Sequence, residues 1–436
     1  MVLKDKKTKI TFHHGMRTIG GTYIEVTYEN SRIIFDFGSQ HDVLETSNNV
    51  SLESILERDL APYIDNIFDK NIDLSAFKNK ESFDKKGHMY DNTAVFVSHI
   101  HLDHTKMINF LDKSIPLYMS EKTKELLKNV NIDGEFLYPN SYIDAHTRDI
   151  IGVKENDIIE VGKIKVQVVP VDHDAYGASG FIIETPDLKI SYTGDIRYHG
   201  YRKDDTLSFC EKSKNADVLI IEGVSVSFQE FDEVVAEGEI VNERMVIDSI
   251  KKVVFDNPSR QITFNYYTTN IERLLNIIDS NPRKVVLDAF HAFILFKSTG
   301  VKSYFYSLDG KDYGLEEKYK IDFNKLLKDK SEFFWQLNTE AINYLDKMDS
   351  NGIYIHSNAA PLGEYDPNYL PFKINIENKG IEFLTMACSG HAHPLDLIDI
   401  IDRIKPKLLV PIHSFRPEKL FNNYGDVLLP ESKQTI

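Results

Sequence analysis

Four residues of metal-binding type crowd one short stretch, His99-x-His101-x-Asp103-His104. Neutral imidazoles and carboxylates are borderline ligands suited to zinc or manganese. If the chain there is extended, a spacing of two puts His99 and His101 on one side, where both reach one ion. Asp103 and His104, past the following turn, are placed to serve a second. Packing gives no reason to collect four such residues in six positions. The missing ligands must come from elsewhere, and three candidates stand just after apolar runs. His173 lies in Pro170-Val171-Asp172-His173-Asp174, Asp195 in Tyr192-Thr193-Gly194-Asp195, and His413 in Val410-Pro411-Ile412-His413. Each alone is weak, because a histidine at a strand end is more often satisfied by polar neighbours. Together they complete a set.

The elements that must hold these residues can be read from periodicity. Ile10 to Phe12, Thr22 to Tyr28 and Ile33 to Phe35 read as strands, the last two joined by the polar turn Glu29-Asn30-Ser31 as a hairpin. Leu52, Ile55, Leu56, Leu60 and Ile64 recur at helical spacing and predict a helix. Lys78 to Lys86 reads as a loop or insertion. Ala94 to Val97 is a continuous apolar run, as in a buried strand, and ends directly in Ser98-His99. Lys165 to Val169, Phe181 to Glu184, Leu188 to Tyr192 and Val218 to Ile221 are further strands. Residues 230 to 350 read as mainly helical, with strand-like breaks at Gln261 to Asn265 and Lys284 to Leu287. The charged, tyrosine-rich Lys302 to Phe334 reads as surface or linker, and the rings around Trp335 as part of a buried helix. Phe383 to Ala387, Pro394 to Ile404 and Leu408 to Ile412 read as a βαβ-like unit, with His393 a polar residue at the helix start. Functional groups at strand ends are what layered α/β architectures provide.

Composition sets the outer bounds. The chain has 436 residues, 42% of them hydrophobic, which excludes a disordered protein. Two cysteines, Cys210 and Cys388, cannot make a disulfide framework or a zinc finger. The opening residues carry lysines without an apolar stretch after them, unlike a signal peptide, and no run approaches a membrane span. A cytoplasmic setting without membrane association is expected. With 51 Lys+Arg against 67 Asp+Glu, the formal charge of −16 argues against coating nucleic acid through bulk charge. It leaves room for an active site that carries positive charge as metal ions.

Asp36 after the third strand, then His99-x-His101-x-Asp103-His104, His173, Asp195 and His413, resembles the successive motifs of the metallo-β-lactamase fold. The resemblance implies an α/β fold (α+β in some schemes), a four-layer αβ/βα sandwich holding two divalent metal ions. His99, His101 and His173 would hold the first metal, and Asp103, His104 and His413 the second. Asp195 would bridge them, and Asp36 would support the site as a buried hydrogen-bonding residue. Zinc is the expected metal, with manganese the alternative.

Further motifs resemble the β-CASP nucleases, which include the ribonuclease J-like enzymes. They are Asp217-Val218-Leu219-Ile220-Ile221-Glu222-Gly223, Ser389-Gly390-His391-Ala392-His393, and Lys405-Pro406-Lys407 leading to His413. This implies an α/β cap inserted at 223–378 between core segments 1–222 and 379–436. It implies a catalytic set of Asp103, Asp195, Glu222 and His391, with Glu222 fixing a histidine's tautomer and His391 at the scissile phosphate. His413 in the third motif favours single-stranded RNA as substrate over DNA, and a homodimer is compatible with it. A hydrolase of small esters, thioesters or lactones, a DNA nuclease and a non-catalytic interaction subunit are the competing readings.

Overall fold

Strands that are apolar at every position must bury both faces, and the centre of this chain shows how. In Val218–Glu222, Val218 and Ile220 join one core cluster while Leu219 and Ile221 join another. In Leu408–Ile412, likewise, Leu408, Val410 and Ile412 face the first cluster and Leu409 the second. A period of two therefore places each strand between two packed layers.

A computed structural model describes residues 3, 5–40, 50–77, 90–232, 238–338, 341–364 and 366–436. The chain divides into two units, one made of Met1–Tyr198, Arg202–Val234 and Gly390–Ile436, the other of His199–Tyr201 and Val235–Ser389. The strands in chain order are β1 (Lys9–His14), β2 (Tyr23–Tyr28), β3 (Ser31–Phe35), β4 (Asn92–Phe96), β5 (Leu117–Ser120), β6 (Ile151–Val153), β7 (Ile158–Val161), β8 (Ile164–Pro170), β9 (Ser179–Glu184), β10 (Lys189–Tyr192) and β11 (Val218–Glu222). The second unit contributes β12 (Ile262–Tyr266), β13 (Lys284–Asp288), β14 (Tyr304–Tyr306), β15 (Phe333–Gln336), β16 (Ile353–Ser357) and β17 (Glu382–Thr385). The return to the first unit adds β18 (Leu408–Ile412), β19 (Asp426–Val427) and β20 (Gln434–Thr435).

The first unit holds two seven-stranded sheets, β20-β1-β2-β3-β4-β5-β6 and β19-β18-β11-β10-β9-β8-β7. Their inner faces share one core, in which Phe35 of β3 packs on Phe181 of β9 and Tyr192 of β10. The outer face of the second sheet is covered by the helices Lys203–Lys212 and Pro394–Ile404, through Phe209, Leu397, Ile400 and Ile401. The helix Glu121–Val130 packs its buried Leu126 and Leu127 beside β5 and β6 of the first sheet. Helix, sheet, sheet and helix give the four-layer αβ/βα sandwich of the metallo-β-lactamase fold.

The second unit is built on a wholly parallel sheet, β14-β13-β15-β12-β16-β17, with helices in its connections. Parallel neighbours require such crossovers. One face buries Trp335, Tyr306, Tyr354 and Leu326 together.

Several local expectations change. The helix predicted from Leu52 to Ile64 stops at Glu57, because Asp59 takes a left-handed backbone (φ 55°) and Pro62 follows. The stretch Lys302 to Phe334 is not linker; it supplies β14 and the start of β15, and Trp335 is buried in a strand and not a helix. β17 and β18 do not form a βαβ unit, since β17 pairs with β16 and β18 pairs with β11. The loop expected at Lys78 to Lys86 lies outside the described residues.

His356 on β16 is buried against the ring of Phe383, and burial pushes its pKa down to about 4. The unfolded chain then takes up a proton near pH 6.5 that the folded chain refuses, so acid destabilises the second unit. We predict that lowering the pH from 7 to 4.5 costs about 2.5 kcal/mol through this residue alone. Urea unfolding of wild type and His356→Phe at both pH values checks this. The variant should lose that much less, and equal losses would refute the assignment.

Candidate metal centre

The site is assembled from loops, and one short helix, that follow strands of the first unit. β4 ends at Phe96, and His99 lies in the loop that follows. His101 is the N-cap of the short helix Leu102–Thr105, which carries Asp103 and His104. His99 and His101 thus do not continue the strand, as the spacing of two had suggested. They converge through the loop, with ring centroids 4.6 Å apart. His173 follows β8, Asp195 follows β10, and His413 follows β18 in a left-handed backbone conformation.

These residues gather into two nests. His99, His101, His173 and Asp195 form one, and Asp103, His104 and His413 the other, with ligand atoms in each nest within 4.8 Å of one another. One oxygen stands between them. Asp195 Oδ2 lies 3.6 Å from His99 Nε2, 3.8 Å from His173 Nε2, 3.5 Å from His104 Nε2 and 3.8 Å from His413 Nε2. All seven residues predicted from sequence are therefore brought together, in the grouping the resemblance implies.

Polar neighbours decide which ring nitrogen faces inward, as in metal sites generally. Asp36, buried after β3, accepts hydrogen bonds from Ser98 N (2.8 Å), Ser98 Oγ (2.9 Å) and Tyr192 OH (2.5 Å). Its Oδ2 lies 2.9 Å from His104 Nδ1. A carboxylate there holds the proton on Nδ1 and leaves the Nε2 lone pair inward. Because the Ser98 hydroxyl donates to Asp36, it accepts from His99 Nδ1 at 2.9 Å, which sets His99 the same way. His173 Nδ1 donates to the Gly390 carbonyl at 2.6 Å. Thr22 Oγ1 lies 3.0 Å from His413 Nδ1. Four histidines thus point Nε2 to the centre. His101 differs, with its Nδ1 3.2 Å from His173 Nε2.

Two glycines allow this crowding. A Cβ on Gly38 would fall 2.0 Å from the backbone carbonyl carbon of Asp103, so only glycine lets the loop after β3 pass under that helix. A Cβ on Gly390 would fall 2.5 Å from Asp174 Oδ1.

Asp174 is the residue that the sequence reading passed over. Its Oδ1 stands 3.4 Å from His173 Nε2 and 3.7 Å from His101 Nε2. Its position beside His173, after a buried strand, was the available clue. Ser98 was also missed; a serine ending a strand looks ordinary until its neighbours are seen. Glu222 and His391, quoted from separate motifs, meet directly. Glu222 Oε1 lies 3.2 Å from His391 Nδ1, and Glu222 Oε2 accepts from Val224 N at 2.7 Å. His391 Nδ1 is 3.8 Å from Asp195 Oδ2. His393 is the N-cap of the helix Pro394–Ile404.

Charge at the site is out of balance in a way that suits cations. Burial lowers His99 and His101, and takes His173 down to about 3, so these rings are neutral ligands at pH 7. Burial opposes charge on His104 too, but Asp103, Asp36 and Asp195 raise its pKa well above the ordinary value. Burial likewise opposes charge on His391, yet Glu222 beside it pushes the pKa up to about 9. Buried carboxylates draw in whatever positive charge they can reach. The donor atoms also fit a metal: His99 Nε2 and His104 Nε2 are buried and have no hydrogen-bond partner among the described residues. Orphaned buried nitrogens carry a large desolvation cost. A divalent ion in each nest would remove it.

The chain is similar to several known proteins. A family model described as the Beta-lactamase superfamily domain matches residues 64–245. The chain is 24% identical over 438 residues to ribonuclease J of Mycoplasma genitalium, covering 94% of this chain and 68% of that protein. It is 26% identical over 226 residues to cleavage and polyadenylation specificity factor subunit 3 of Dictyostelium discoideum, covering 48% of this chain and 28% of that protein. A solved structure, of a protein of unknown function from Enterococcus faecalis V583, is 42% identical with a TM-score of 0.91, covering 99% of this chain and all of that one. Among the described residues no helix is long and apolar enough to cross a membrane.

The relay through Ser98 yields a prediction. Ser98→Ala keeps the loop but removes the hydroxyl that orients His99 and ties Asp36 to it. Metal affinity should fall about 10- to 100-fold, measured by chelator competition. Unchanged affinity would contradict the relay.

Proposed function

This chain belongs to the metallo-β-lactamase superfamily, in its β-CASP branch, and from that premise we propose that it is a metal-dependent phosphodiesterase that cleaves single-stranded RNA. One observation carries the reading: His391, whose Nδ1 lies 3.2 Å from Glu222 Oε1, has that same nitrogen 3.8 Å from the carboxylate oxygen shared by two metal nests. Hydrolysis of a small lactam or thioester needs the nests but gives no task to a buried Glu–His pair beside them.

The two nests would hold divalent ions, zinc with manganese as alternative, which when bound would supply hydroxide near neutral pH and neutralise the non-bridging phosphate oxygens. The protein's own groups do the rest. Asp195 and the inward Nε2 atoms hold both nests in register. Asp103 closes the second nest from its more open side, its side chain 25% exposed. Glu222 engages Nδ1 of His391, so that ring offers its Nε2 proton to the phosphate or to the departing 3′ oxygen. The names of the ribonuclease J and polyadenylation-factor relatives support RNA as the substrate class. The catalytic set proposed is Asp103, Asp195, Glu222 and His391.

Two variants separate the roles. With 5′-labelled single-stranded RNA and metal analysis on the same samples, Asp195→Ala should abolish cleavage and release metal. His391→Ala should cut activity about 10²- to 10⁴-fold while metal is retained. Full activity of His391→Ala on RNA would sink the nuclease assignment. The size of the products distinguishes a discrete cut from stepwise trimming.

A further inference from the structure

Two large aromatic rings sit exposed where burial would be expected. Phe228 is 69% exposed and Phe415 is 52% exposed. They form an edge-to-face pair with centroids 6.0 Å apart and planes at 88°. They come from separate strand ends, and both strands serve the metal centre. Phe415 is two residues past His413, so its Cα lies within about 7 Å of that of His413. Phe228 is six residues past Glu222, at the end of the short helical turn Ser225–Ser227.

The rings are held, not merely left over. Ser227 Oγ and Ser414 Oγ are 2.9 Å apart, and Ser227 Oγ accepts the Phe415 N–H at 2.9 Å. Ser414 is fully buried and accepts from Arg416 N at 3.1 Å. His413 N donates to the Gly15 carbonyl, which anchors the same loop from the opposite side. Leaving two such rings in water forfeits the burial that normally stabilises them. What singles this pair out among the exposed hydrophobic residues is its hydrogen-bonded support and its place after two strands that serve the metal centre.

Arg17 reaches Glu418, while Arg416 and Lys419 share Glu230. Each of these cations is engaged by a carboxylate, and Lys419 Nζ also donates to the Gln229 carbonyl beside Phe228 at 2.9 Å. Exposed aromatic rings flanked in sequence by Arg416 and Glu230, with Phe415 two residues past the ligand His413, match the chemistry of a single-stranded nucleic acid. We infer that Phe228 and Phe415 form a stacking platform for a nucleobase flanking the scissile phosphate. The inference rests on the phosphodiesterase reading above and adds a positioning site that accepts any base, because every base has a π-face.

The test uses steady-state cleavage of an RNA dodecamer and a set of the same dodecamer with single abasic positions. For wild type, an abasic position at the platform should raise KM about tenfold. Phe228→Leu and Phe415→Leu keep apolar bulk but lose the aromatic face. Each should raise KM for intact RNA about tenfold and lose sensitivity to that abasic position, and the tyrosine variants should restore both. Metal content and melting midpoint report whether each variant is intact. If Phe415→Leu perturbs the neighbouring ligand, Phe228→Leu carries the test. Leucine variants with wild-type KM and unchanged abasic sensitivity would overturn the platform while leaving the nuclease reading standing. Absence of RNA cleavage by metal-loaded wild type would overturn both.

Discussion

The site depends on one buried carboxylate oxygen. Asp195 Oδ2 lies within 3.5–3.8 Å of four inward histidine nitrogens that come from three different loops. A carboxylate set among histidine rings and further carboxylates at this depth is not stable on its own terms. Removing a charge from water costs several kcal/mol unless another charge compensates it. Protonation of His104 and His391 is one compensation, and divalent cations are the other. Where protons and cations compete for the same lone pairs, metal binding releases protons and couples to folding.

The rest of the first unit serves that oxygen. The loops bearing His173 and Asp195 are locked by Arg197, which is buried, pairs with Asp172 Oδ1 at 3.3 Å and donates its backbone N–H to the Asp172 carbonyl. The His391 loop is pinned by Ala392 N, which donates to Ile196 O at 2.7 Å. Asp36 joins the first sheet to the second through Tyr192, so both sheets fix the same cluster. Each ligand therefore owes its position to backbone that is itself hydrogen-bonded or packed, which is how a site at strand ends can be rigid.

Much of this was legible in the sequence, and for a physical reason. A first coordination sphere demands particular side chains, so His99, His101, Asp103, His104, His173, Asp195 and His413 stand out by type. Strands buried on both faces stand out by composition, which is why β4, β10, β11 and β18 were readable. What sequence hid were interactions that any polar residue can make. Ser98 works through one hydroxyl, Gly390 through a carbonyl and a missing Cβ, and Asp174 by being close. The strands β14 and β15 were hidden for a different reason. Their short aromatic runs lie within a charged stretch, and burial there is created by tertiary packing with Tyr354 and Leu326, not by local pattern.

Metal stoichiometry tests the central claim most directly. Protein stripped by chelator and titrated with zinc should take up two ions per chain, counted by elemental mass spectrometry after buffer exchange. Two ions bound, both lost together when Asp195 is replaced, is the predicted result. One ion per chain, or two that survive the loss of Asp195, would contradict a centre organised around that shared oxygen.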